Sequence, residues 1–152
     1  MGIFNGHLKK NNSSVISKGN GEKKSSNTLK EDIRLASDWV VKALNSSGYK
    51  ADYSLESMKE IDRFFDEQSS EKGILSRNRG NILFSLGSYI GETAIRLYGG
   101  EWNTDDNDPQ GEINIYVRLA NGTIMWPVIR CMKRYEMGGE ESIYAYFFAL
   151  NG

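Results

Sequence analysis

Cysteine and histidine are almost missing from this chain, which holds one of each, Cys131 and His7. A lone thiol cannot close an intrachain disulfide, and such cysteine usage suits a reducing compartment. His7 lies in a polar leader, so the remainder has no imidazole to act as base in a Ser-His-Asp or Cys-His mechanism. A structural zinc site wants four Cys or His ligands and has no material here. Cys131 therefore reads as a buried helix thiol. Apolar runs are short of the ~18 to 20 residues that cross a bilayer, and no secretory h-region opens the chain. Met1-Gly2-Ile3-Phe4-Asn5-Gly6 begins like an acylation site, but Gly6 stands where Ser or Thr is needed. These absences point to the cytoplasm. Charge of one sign is missing as well. The net charge is -1, which gives no whole-chain electrostatic reason to expect nucleic acid as a partner. The phosphate-cradling patterns GxxxxGK[ST] and GxGxxG do not occur, and no cofactor is expected.

With 39% hydrophobic and 26% charged residues in 152, one packed core is affordable. The expected division is a disordered basic tail over 1–27 and a single α+β domain over 28–152. The tail is Asn, Ser, Gly and Lys with almost nothing to bury, so the entropy of ordering it has no offset. Lys9, Lys10, Lys18, Lys23 and Lys24 against Glu22 leave the rest of the chain with a surplus of negative charge.

Three helices are expected first. Thr28 with Glu31 forms a capping box that starts a helix running to about Asn45, with Leu29, Ile33, Ala36, Val40 and Leu44 on one stripe. A second runs from about Ser54 to Gln68, with Leu55, Met58, Ile61 and Phe65 inward. Glu56, Lys59, Glu60, Arg63 and Asp66 form its wet face. The third, from about Arg77 to Tyr98, carries Leu83, Leu86, Ile90, Ala94 and Leu97 and is apolar on most sides, so it should be central. Gly87 and Gly91 lie four apart on it, and their helix penalty implies the close approach of another backbone. Gly99-Gly100 stops it.

An antiparallel β-hairpin or three-stranded meander should follow. Ile113, Ile115, Val117 and Leu119 alternate toward the core, while Asn114, Tyr116 and Arg118 take the opposite face. Asn121-Gly122 fits a type I′ turn, and Thr123 to Trp126 is the return strand. Pro127 opens the first of two short C-terminal helices, with Val128, Cys131 or Met132, and Tyr135 inward and Arg130, Lys133 and Arg134 outward. Gly138-Gly139 breaks it. Glu140 to Leu150 fits a helix better than a strand, because Glu140 and Glu141 suit a helix N-terminus.

The run Gly87-Ser88-Tyr89-Ile90-Gly91-Glu92, then Gly99-Gly100-Glu101-Trp102, then Trp126-Pro127 resembles a signature of small bacterial domains of unknown function. The likeness covers roughly Ser54 to Leu150. It implies an α+β fold and a bacterial or phage setting, and no activity.

Candidate chemistry is sparse. Asp105-Asp106-Asn107-Asp108 fails the calcium-loop pattern, since Val117 stands where the twelfth position needs a bidentate Glu. Glu92 shares a polar strip with Ser85, Ser88 and Arg96. It reads as a surface ion pair with Arg96, four residues on, or, if enclosed, as a ligand or acid–base carboxylate. Trp102, Trp126, Tyr89, Tyr116 and Tyr146 are candidates for the core, with Tyr116 the exception beside Asn114 and Arg118. Two functional expectations result. The first is a non-catalytic module that meets another protein through Asn114, Tyr116 and Arg118, as an immunity-like or accessory factor. The second is a small-ligand binder or hydrolase that uses Glu92 with a carboxylate of the acidic loop; Tyr89, Arg96 and Trp102 are the further binding candidates. The first expects a flat aromatic-Arg patch, the second a concave pocket.

Overall fold

The computed structural model describes residues 27–150, so the tail expected over 1–27, with His7 and the acylation-like start, lies outside the described residues except for Asn27. Among the described residues the fold is α+β, with six helices and one three-stranded antiparallel sheet in the order β1-β2-β3. No helix among them is long and apolar enough to cross a membrane.

Helix α1, Leu29–Ser46, starts at the expected capping box. The Glu31 N–H donates to Thr28 Oγ1 at 3.2 Å and the Thr28 N–H to Glu31 Oε1 at 3.0 Å. Its buried face is Ile33, Ser37, Val40 and Leu44 with Trp39 and Ala43, so Ser37 replaces the expected Ala36 in the stripe. Helix α2, Ser57–Gln68, begins three residues later than expected and buries Met58, Ile61, Phe64 and Phe65. Helix α3, Leu75–Tyr98, is kinked at Asn78 (φ -141°, ψ 43°) and buries Leu83, Leu86, Tyr89, Ile90 and Ala94, as befits a central rod. Leu97 departs from that stripe and is exposed near the C-terminus of the helix, which Gly99 closes at φ +78°.

Both α3 glycines mark close approaches, of different kinds. A Cβ at Gly87 would lie 2.9 Å from Val128 Cα, as expected for a backbone contact. At Gly91 the neighbour is a side chain instead: a Cβ would meet the Trp102 indole at 2.1 Å. The two glycines thus seat one aromatic ring and the start of a helix directly on the central rod.

The meander is the form the sheet takes. Strand β1, Gly100–Asn103, pairs with β2, Tyr116–Leu119, which pairs with β3, Ile124–Met125. Ile113 and Asn114 are not in the strand. Residues Gly111–Asn114 form a single helical turn, α4, because Asp108 accepts the Gln110 N–H at 2.8 Å and the Asn114 side-chain N–H at 2.9 Å and winds the chain before it can extend. Ile115, Val117 and Leu119 keep the buried face. The hairpin loop also differs from a type I′ turn, since Gly122 alone in it has positive φ, and Ala120, Asn121 and Gly122 make a three-residue loop.

Helix α5, Pro127–Met137, starts at Pro127 as expected and buries Val128, Cys131 and Arg134. Arg134 was expected outward; it is 3% exposed. A 3-10 turn, Gly138–Glu141, takes up the two acidic residues expected in the last helix, and α6 spans Ile143–Leu150.

The cause of the Arg134 reversal is Asp62 of α2. Asp62 Oδ1 accepts Arg134 Nε–H at 2.8 Å and the Ile143 N–H at 2.9 Å, and Oδ2 accepts from Ser142 Oγ at 2.9 Å and the Tyr144 N–H at 3.0 Å. One carboxylate thus neutralises a buried guanidinium and caps the free N–H groups at the start of α6. Arg130 is also drawn in, bonded to Glu141 at 2.6 Å with its guanidinium 4.1 Å from the Tyr146 ring centre, which leaves Lys133 as the wet member of the expected basic strip. Asp62→Asn should therefore lower the unfolding free energy measured by urea titration by about 3–5 kcal/mol, because it removes the buried carboxylate that faces Arg134 and unbalances the four hydrogen bonds that carboxylate accepts. Asp66 also pairs with Arg134, but its side chain is 67% exposed. Asp66→Asn should cost below about 1 kcal/mol in the same urea titrations.

Candidate functional site

Four of the residues singled out in the sequence meet on one side of the molecule. Tyr89, Glu92 and Arg96 share α3, and Trp102 reaches them from β1. Glu92 Oε2 accepts Arg96 Nε–H at 3.2 Å, and Glu92 Oε1 accepts the Trp102 Nε1–H at 3.3 Å. Both oxygens are therefore occupied, and the side chain is 30% exposed. Ser85 and Ser88 do not join a wet strip with them, because both are buried and Ser88 Oγ donates back to the Phe84 carbonyl at 2.9 Å. That bond gives a serine inside a helix an internal partner.

Tyr89 belongs to the floor of this region rather than to its surface. It is 0% exposed, and its hydroxyl accepts the Tyr53 N–H at 2.9 Å and shares a hydrogen with Ser57 Oγ at 2.8 Å. Burial pushes its ionisation upward, so the phenol stays protonated. Tyr53, in the loop between α1 and α2, passes unnoticed in the sequence. Its ring stacks on Tyr89 with centroids 4.9 Å apart, its hydroxyl meets Ser37 Oγ at 2.8 Å, and the Arg96 guanidinium lies over the ring at 3.7 Å. Among the described residues Tyr53 is the one non-glycine with positive φ, at 61°. No local pattern in Asp52-Tyr53-Ser54 announces that conformation.

Lys30, Ile33, Arg34, Ser37 and Asp38 of α1 complete a cleft of about 360 Å³ with Tyr53, Glu92, Arg96 and Trp102. Its opening is wide and its rim charged. Arg34 and Asp38 pair loosely at 3.7 Å, both well exposed.

Of the other three residues, Tyr116 and Arg118 lie on the outer face of the sheet and Asn114 does not. Asn114 is bound to Asp108 on the α4 turn, away from the strands, so it does not belong to the expected patch. Arg118 is exposed and lies between Glu101 and Ile124 in the strand register, and Tyr116 opposes Asn103. Trp126, a core candidate by residue type, is instead 45% exposed, with its ring 5.8 Å from that of Tyr116. Strand alternation from Met125 gives that placement, since Met125 is buried and its successor faces out. Tyr146 is half-buried against Arg130.

The acidic loop spends its carboxylates on the chain itself. Asp106 accepts the Leu29 N–H at 2.9 Å, and Asp105 accepts the Asn107 N–H at 3.0 Å. No group of three or more His, Cys, Asp or Glu side chains among the described residues is arranged to hold a metal ion. Cys131 is buried, and burial pushes its thiol far up, so it stays a thiol.

No protein-family model matches the chain, and no curated protein and no solved structure matches it.

Asp32, beside this loop on α1, has its carboxyl raised from 3.8 to about 6 by burial first, then by Glu112, Glu31 and Asp106, against a hydrogen bond from Asn27. The folded state thus holds this proton more tightly than the unfolded chain does. The resulting stability is complete below about pH 4 and is lost as pH rises through 6. Asp32→Asn should melt above the wild type at pH 7.5 and level with it near pH 4. Calorimetry at the two pH values checks this, and an identical offset at both would contradict it.

Proposed function

We propose that this chain is a non-catalytic protein-interaction module that meets another protein through the outer face of its sheet. The observation that carries this reading is the exposed Trp126, paired with Tyr116 on the sheet face that also carries Arg118 and Ile124. Trp, Tyr and Arg are the residue types that dominate binding energy at interfaces: the aromatics bury a large area at a small cost in side-chain freedom, and Arg offers a planar fork of donors. A tryptophan left half in water has no folding role that requires its exposure, so a partner is the simplest source of a return. The surplus of negative charge on the folded region makes nucleic acid a poor occupant.

The same reading carries the setting. The likeness of Gly87 to Glu92 and of Gly99 to Trp102 to small bacterial domains supports an immunity-like or accessory factor working in a bacterial or phage-infected cytoplasm. A hydrolase built on Glu92 finds less support. Both of its oxygens are held by Arg96 and Trp102, so it is poorly placed to take or give a proton.

The test is affinity capture with the full chain and three variants. Trp126→Ala and Arg118→Glu should lose a partner that wild type and Phe148→Ala retain, Phe148 being an exposed aromatic on α6 outside the patch. Melting temperatures should stay close to wild type, since these side chains are surface groups. Equal recovery of the partner by all four proteins would sink the reading.

A further inference from the structure

We infer that the cleft between α1 and α3 is a binding site for a small oxyanion, a carboxylate or phosphate monoester, whose charged group docks on Arg96. The argument begins with how Arg96 is held. Glu92 takes its Nε–H at 3.2 Å, and Tyr53 lies flat beneath its guanidinium at 3.7 Å, so the fork is fixed in direction. Its two terminal amino groups have no hydrogen-bond partner among the described residues, and they are the pair that grips an oxyanion in bidentate fashion. A preorganised guanidinium loses little freedom when it binds, which is the usual reason for clamping one in place.

Charge supports the same assignment. Lys30, Arg34 and Arg96 line the cleft against Asp38 and Glu92 alone. The cleft is therefore a cationic spot on a folded region with more acidic than basic residues. Lys30 has no ion pair among the described residues, and Arg34 is held only by the long 3.7 Å contact to Asp38, so both are free to turn toward a ligand.

Backbone strain points to the same place. A tyrosine in the left-handed region is strained, and such strain gathers where the surrounding structure needs a side chain in one orientation. Here Ser37, Tyr89 and Arg96 all bind Tyr53, and the consequence is the flat ring that supports Arg96. Size then limits the ligand. A space of about 360 Å³ is at the lower end of small-molecule sites and admits one ring or short chain beside the oxyanion.

The experiment uses the full chain and two probes, phenyl phosphate and benzoate, titrated by calorimetry at low salt with benzyl alcohol as the neutral control. The expected result is saturable 1:1 binding of at least one anion and none of the alcohol, and the ratio of the two affinities separates phosphate from carboxylate. Arg96→Gln should weaken binding at least ten-fold. Lys30→Gln, on an exposed stem remote from the core, should weaken it about three-fold or more and serves if the first variant folds poorly. Lys133→Gln, outside the cleft, should leave affinity unchanged. The inference is overturned if neither anion saturates the wild type. It is equally overturned if affinity survives both cleft variants, as it would if the lysines of the first 26 residues held the probe.

Discussion

The glycine face of α3 is the constraint on which the rest of the structure depends. Gly87 and Gly91 lie one turn apart with their bare backbone toward Val128 and Trp102, at distances where a methyl group has no room. Two glycines inside a helix cost stability, and close packing against the bare backbone is what offsets it. The Trp102 indole fixes β1 over the rod, and Val128 fixes the start of α5. Everything placed relative to β1 and α5 inherits that geometry.

Both candidate sites inherit it from opposite neighbours of the same helix. Trp102, seated on Gly91, donates to Glu92, which aligns Arg96 over Tyr53 and forms one wall of the cleft. Val128, seated on Gly87, comes two residues after Trp126, so the close approach at Gly87 also decides where the exposed indole stands beside Tyr116. The far end of the molecule has a different lock. There Asp62 ties α2 to Arg134 of α5 and to the first N–H groups of α6, and a polar cluster does what glycine does elsewhere.

What the sequence made legible is what depends on near neighbours. The Thr28–Glu31 box, the stop at Gly99 and the start at Pro127 are set within three or four residues, and each lies where expected. Placing Glu92 beside Arg96 needed only helix periodicity. The misses come from contacts that span the chain. Arg134 looks like a wet residue until Asp62, 72 positions earlier, is brought against it. Glu112-Ile113-Asn114 alternates like a strand, and only the Asp108 side chain shows why it winds into a turn. Tyr53 is invisible because its positive φ answers to Ser37, Tyr89 and Arg96 together, which lie on two helices packed across the cleft.

The central claim concerns the two glycines, and urea denaturation of three alanine variants tests it most directly. Gly80, on the same helix, has open space around the site of a Cβ. Gly80→Ala should raise stability by up to about 1 kcal/mol, as helix propensity alone dictates. Gly87→Ala and Gly91→Ala should instead lose about 1–3 kcal/mol, the usual cost of overfilling a packed contact. A gain at all three positions would mean that Val128 and Trp102 are not seated on the helix, and the account of both sites would fall with them.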